Sequence, residues 1–250
     1  MMNTLVDGES YIPTNVEQIA NILTHAIPAV VSVAALVHMV QNVVDNTQET
    51  IVAWVYGLCM ISLFSVSSLY HLSVLTHTLE HKLAQVMQTF DHAFIYIFIA
   101  ASYTPWLILL EIGVNGLYGK LFCAVIWGIA VFGVARSFLK FGQSIPSLFL
   151  YLFMGWIAIL IVQPVMKSEI ALWGVIELVL GGLVYSAGAI IPFRMDGRIP
   201  FAHAIWHLFV VAAAALHFHS VYKYLIGMNN NLYDPESVVI TKDYFAHLFE

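Results

Sequence analysis

Two histidines, His203 and His207, stand four residues apart in an apolar stretch, FAHAIWHLFVVAAAALHFHSVY, running from Phe201 to Tyr222. On a helix, residues i and i+4 share a face with β-carbons about 5–6 Å apart, so both imidazoles can reach one metal ion. Polar groups are costly to place in hydrocarbon, and a pair so close to a membrane segment invites a functional explanation. An HxxxH pair alone arises often by chance. It gains meaning only from partners that the rest of the chain brings to it.

The composition sets the environment for that chemistry. Of the 250 residues, 60% are hydrophobic and only 10% charged, with a mean hydropathy of +0.84. Soluble domains carry about 25% charged residues, so this is the composition of an integral membrane protein. A net charge of −6 argues against nucleic acid as a partner. Cys59 and Cys123 both fall inside apolar runs, which excludes a disulfide framework. The first residues, MMNTLVDGESYIPTNVEQ, hold no Lys, no Arg and no early apolar stretch. A cleavable signal is therefore not expected, and the first apolar segment should be retained as an anchor.

A membrane-spanning helix needs about 20 mostly apolar residues. Seven segments qualify, over 21–44, 51–75, 86–110, 117–139, 145–164, 171–192 and 201–226. The expected fold is all-α: a polytopic, multi-pass membrane protein whose sequential helices are antiparallel neighbours in one bundle. A polar N-terminal segment (1–20) and a polar C-terminal tail (227–250) flank the 21–226 transmembrane domain. With the N-terminus cytoplasmic, the inner side carries Lys82, Arg136, Lys140, Arg194 and Arg198, and the outer side Lys120, Lys167 and Lys223. That excess favours an N-inside orientation, in the plasma membrane or, in a bacterium, the inner membrane.

Seven helices also decide which polar residues share a membrane face. Even helices end, and odd helices begin, on the side of the N-terminus. His203 and His207 open the seventh helix, His71 closes the second, Asp91 lies near the start of the third, and Glu17, Asn21 and His25 enter the first. His217 lies about 15 Å beyond His207 along its helix, and Cys59 about 18 Å from His71. His71, His203 and His207 make a His₃ set suited to Zn²⁺, a set that favours an acidified, nucleophilic water. Asp91 could hydrogen-bond that water, act as general base, or complete the coordination. Ser67, one turn before His71, could orient an imidazole or the water.

Plainer readings compete at several positions. Glu17, Asn21 and His25, at i, i+4 and i+8, fit packing or solvation at the membrane entrance as well as they fit chemistry. Glu177, midway along the sixth segment, is an intramembrane carboxylate at the wrong depth for this site, and a protonated or helix-bonded side chain is expected there. Gly182 and Ser186 have the small-xxx-small spacing of close helix packing.

At these residues the chain resembles the hemolysin III family, within the progestin and adipoQ receptor superfamily. SVSSLYH (65–71), DHAFIYIFIAASYTP (91–105) and HAIWHLFVVAAAALHF (203–218) carry the resemblance, and Glu17, Asn21 and His25 are similar to the superfamily's N-terminal motif. The matching stretches stand in family order over about 16–226. The resemblance implies seven helices with the N-terminus inside and zinc on His71, His203 and His207. Asp91 and Ser67 match the family's aspartate and serine positions. Some superfamily members are linked to hydrolysis of ceramide-like amides, others are described as receptors, and the bacterial-type branch is named for haemolysis.

Three functions follow as expectations. The leading one is a zinc-dependent hydrolase of a lipid amide or ester, with membrane lipids as partners and substrate. A non-enzymatic receptor or lipid sensor with structural zinc is the second. A pore-forming or cytolytic protein is the third, although no charged stripe repeats along several helices as a pore would need.

Overall fold

The structure, a computed structural model, describes residues 13–43, 47–140, 145–160, 172–192 and 195–226. Among the described residues there are seven α-helices: α1 (Asn15–Gln41), α2 (Thr47–Leu75), α3 (His81–Leu109), α4 (Leu117–Lys140), α5 (Ile145–Trp156), α6 (Leu172–Ile190) and α7 (Ala202–Tyr224). A short 3₁₀ turn, Val114–Gly116, precedes α4, and there is no strand among the described residues. All but α5 are long and apolar enough to cross a membrane. The fifth expected span is helical over the 12 residues Ile145–Trp156, and its positions 161–164 lie outside the described residues, as do 1–12 and the 227–250 tail. The protein is an all-helical, integral, multi-pass membrane protein.

Helix α1 begins at Asn15, six residues before the first apolar segment. Thr14 and Glu17 form a capping box, which satisfies the first backbone N–H groups of the helix where hydropathy gives no signal. The first turns are polar yet turned inward. Glu17, Gln18, Asn21, His25 and Ser32 are buried, while Ile27, Val30, Val31 and Val37 are exposed. This inverts the pattern of a soluble helix, as it must where the surroundings are hydrocarbon.

Consecutive helices from α1 to α7 pack as neighbours, and α7 closes back onto α1. Helix α3, whose apolar window is the most buried of the six spans, touches α2, α4, α5 and α7 and so occupies the middle. Hydrogen bonds secure the short α5 against its neighbours. Tyr103 Oη donates to the Met154 and Gly155 carbonyls, Tyr151 Oη to the His92 carbonyl, and Trp156 Nε1 to Ser186 Oγ.

Glycines permit the closest helix approaches, though not where the spacing suggests. A β-carbon on Gly182 would meet nothing, and Ser186 Oγ donates to the Gly182 carbonyl within the same helix. The close contacts on α6 are instead Gly174 against Tyr224, Gly181 against His217 and Gly188 against Phe209, all of α7. Gly182 faces away from the interface, one residue round the helix from Gly181.

One polar tether joins the two ends that matter for the site. Glu17 Oε2 accepts from Thr14 N and Oγ1, both at 2.8 Å, and Oε1 accepts from the Phe201 backbone N–H at 3.1 Å. Phe201 has a left-handed backbone, φ 57°, and directly precedes α7. Glu17 thus caps α1 and fixes the start of α7 against it.

Two outcomes test this packing. Gly119→Ala places a methyl on the Leu107 carbonyl oxygen of α3, which no rotamer change relieves, and should cost about 1–3 kcal/mol. Gly128→Ala, in open space, should be neutral or stabilising in thermal unfolding of the detergent-solubilised protein. Glu17→Ala should cost about 1–3 kcal/mol through the lost cap and the unpaired Phe201 N–H. The fall in unfolding midpoint should persist in chelator, because the tether involves no metal.

Candidate metal centre

The end of α2 and the start of α7 meet on one face of the bundle, where α1 and α3 also present their polar turns. His71 stands one turn before the end of α2, and His203 and His207 occupy the first two turns of α7. Each offers a ring nitrogen, and these atoms all lie within 4.8 Å of one another. The ring centroids are 5.1 Å apart for His71–His203, 5.2 Å for His71–His207 and 4.6 Å for His203–His207. Among the described residues this is the one group of three or more His, Cys, Asp or Glu side chains so placed.

Outward contacts orient the three rings alike. His71 Nδ1 contacts Gln18 Oε1 at 2.8 Å. His207 Nδ1 lies 3.2 Å from the Asn21 carbonyl oxygen and 3.0 Å from Thr24 Oγ1. His203 Nδ1 lies 3.3 Å from Asp196 Oδ2. Carbonyl oxygens only accept, so His71 and His207 donate from Nδ1 and keep the lone pair on Nε2, while His203 Nδ1 stands in ion-pair contact with the Asp196 carboxylate. That is how metal-binding histidines are held: one nitrogen anchored outward, the other bare. His71 Nε2 is buried and has no hydrogen-bond partner. The donor set therefore fits a divalent ion bound through nitrogen.

The other expected residues gather round this group in different ways. Asp91, on the central helix α3, is buried and lies close enough to His203 and Ser67 to interact electrostatically with both. Its carboxylate stands outside the mutually close set of three. Ser67 Oγ is buried and makes no hydrogen bond. His25 stacks on His207, with ring centroids 3.6 Å apart and planes 14° from parallel, and packs edge-on against Phe64. Both nitrogens of His25 and both polar atoms of the Asn21 side chain lack partners. Asn21, His25, Ser67 and His71 supply six of the eleven buried polar side-chain atoms without partners among the described residues. Such atoms are costly and rare, and their concentration beside three histidines marks a site rather than a packing defect. A small open cleft, with room for about one water and lined by Pro13, Glu17, Asn21, Asp196, Phe201 and His203, borders the His203 side of the group.

Residues set aside on spacing lie elsewhere. His217 Nε2 donates to the Leu178 carbonyl, and His38 Nε2 meets Tyr222 Oη. Glu177, for which a protonated or a helix-bonded side chain is expected, does not show the bond within its own helix. Its Oε2 pairs with His219 Nδ1 at 2.8 Å, across α6 and α7, because the antiparallel helices bring that turn of each level. Sequence reasoning missed Gln18, Thr24 and Asp196. Gln18 and Thr24 share the inward stripe of Asn21 and His25, at spacings of three and four residues, and were open to discovery on that ground. Asp196 lies in the α6–α7 connection, where no periodicity points inward.

The comparisons with known proteins give the family. The profile of the family described as "Haemolysin-III related" matches residues 14–218, from the N-cap of α1 into α7. The chain is 40% identical over 219 residues to the human monocyte to macrophage differentiation factor, covering 86% of this chain and 87% of that protein. It is 35% identical over 219 residues to hemolysin-3 of Bacillus cereus, covering 84% and 92%. A hemolysin-3 homolog of Bacillus subtilis is 35% identical over 215 residues, covering 84% and 95%. Matched by the family model over most of its length and by these relatives at 35–40% identity, the chain belongs to the haemolysin-III related family, within the progestin and adipoQ receptor superfamily.

Proposed function

We propose that this chain is a zinc-dependent intramembrane hydrolase that cleaves the amide or ester linkage of a membrane lipid. The observation that carries the reading is a three-histidine donor set without a fourth His, Cys, Asp or Glu close enough to join it among the described residues. Structural zinc sites are normally closed by four protein ligands, whereas hydrolytic ones keep one position open. Three neutral nitrogen donors also match zinc better than the oxygen-seeking divalent ions.

His71, His203 and His207 would hold the ion through Nε2. When bound, it would supply Lewis acidity, polarising a carbonyl and acidifying water. Asp91 is near the group yet not in it, which favours a proton-transfer role over ligation. Its carboxylate takes the proton of the attacking water and returns it to the leaving amine or alcohol. Ser67, one turn from His71 and beside Asp91, orients the water or the carbonyl by hydrogen bonding. The site's level supports a lipid substrate. It lies where α2 ends and α7 begins, near the depth of headgroup linkages, and the acyl chains would extend along the apolar bundle.

Purified protein incubated with ceramide-like amides and with ester lipids should release fatty acid. Asp91→Asn should lower kcat by about 10²–10⁴-fold while the protein keeps its zinc. His207→Ala should lose both zinc and turnover. Equal activity in metal-free protein would refute the mechanism. Zinc retained without turnover of any amide or ester lipid would favour a structural metal in a lipid-sensing protein.

A further inference from the structure

The three histidines are anchored unequally. His71 and His207 are 3% and 2% exposed, and both rest on uncharged groups of α1: the Gln18 amide for one, the Asn21 carbonyl and Thr24 hydroxyl for the other. The His203 side chain is 18% exposed and rests on a carboxylate, Asp196 Oδ2 at 3.3 Å, itself 37% exposed. Asp196 belongs to the connection between α6 and α7, and with His203 and Glu17 it lines the cleft that opens to the outside. Two anchors are thus built into the helices of the bundle, and the third is charged, on a connection and at the mouth.

We infer that Asp196 is the positioning residue of His203, and that the metal exchanges with the aqueous phase through the cleft on this side. The inference rests on the metal reading given above. A carboxylate standing against the outward nitrogen of a histidine orients the ring and raises the basicity of its other nitrogen, and losing such a partner typically weakens metal binding 10–100-fold. A negative charge at the mouth of a cleft also raises the local concentration of a dication. For the metal to leave, one histidine must turn aside first. His71 and His207 are enclosed by packed helices, and His207 is stacked on His25. His203 has the cleft beside it. The competing reading is an exposed ion pair with no consequence for the metal, since such pairs contribute little by themselves.

Zinc exchange on the full-length protein in detergent separates these readings. The measurements are Zn²⁺ affinity, the release rate into a water-soluble chelator, and the unfolding midpoint of the metal-free form. Asp196→Ala should weaken Zn²⁺ binding 10–100-fold and speed release, with the metal-free midpoint unchanged. Asp196→Asn should weaken binding less, because an amide oxygen can still stand against Nδ1 although the charge is lost. Glu177→Ala removes a carboxylate–histidine pair outside the site and should leave affinity and release as in the wild type. Wild-type affinity and release in Asp196→Ala would overturn the inference, as would an equal change in Glu177→Ala. Wild-type protein that takes up no Zn²⁺ would instead remove the metal centre, and the inference with it.

Discussion

Hydrocarbon offers no hydrogen-bond partners, so a polar side chain in this bundle must find its partner within the protein, on its own helix or another, or bear the cost of having none. Helix α1 shows the consequence most clearly. Its lipid-facing side carries Ile27, Val30 and Val31, and its inner side carries Glu17, Gln18, Asn21 and His25. Each polar turn of that inner side meets α2 or α7. Gln18 reaches His71 of α2, and the Asn21 carbonyl reaches His207 of α7. Meeting those demands brings the end of one helix and the beginning of another to the same place, which is where the three histidines converge.

The same residues therefore serve the fold and the site. Glu17 caps its own helix and holds the backbone at the start of α7, so the first helical turn that carries His203 is set by a residue of α1. Gln18 and Thr24 hold His71 and His207 through Nδ1 so that Nε2 faces inward, and Asp196 stands against Nδ1 of His203. Asp91 comes from α3, the most enclosed helix, whose position is fixed by contacts on several sides. A centre assembled from helix ends on a packed bundle is more rigid than one carried on loops. Its single loop-borne support is Asp196.

The cost of this arrangement is also local. The unpaired polar atoms of Asn21, His25, Ser67 and His71 would each destabilise an ordinary core by about 1–3 kcal/mol. They are gathered within two helical turns of the histidine cluster, and the remaining unpaired buried atoms belong to Tyr56, Tyr96, Trp106, Tyr185 and His217. Proteins tolerate such groups where a polar ligand has a use for them.

Much of this was legible in the sequence, because the bilayer reduces the fold to countable segments. Length and apolarity located the helices, and the parity of the helix count placed His71, Asp91, His203 and His207 on one face. Spacing along a helix separated His217 and His219 from them. Boundaries were less legible: α1 starts six residues before its apolar stretch because Thr14 and Glu17 cap it, and a cap carries no hydropathy. For Glu177 and Gly182, the His219 partner of the one and the outward face of the other were not legible for a related reason. Their surroundings depend on the rotation of α6 about its axis, which is set by packing against α7 and is absent from the pattern of α6 alone. The sequence by itself determined the membrane class, the helices and the set of residues able to share a face. Only the tertiary structure decided which nitrogen of each histidine points inward and that Asp196 supports His203, because those facts rest on hydrogen bonds between segments distant along the chain.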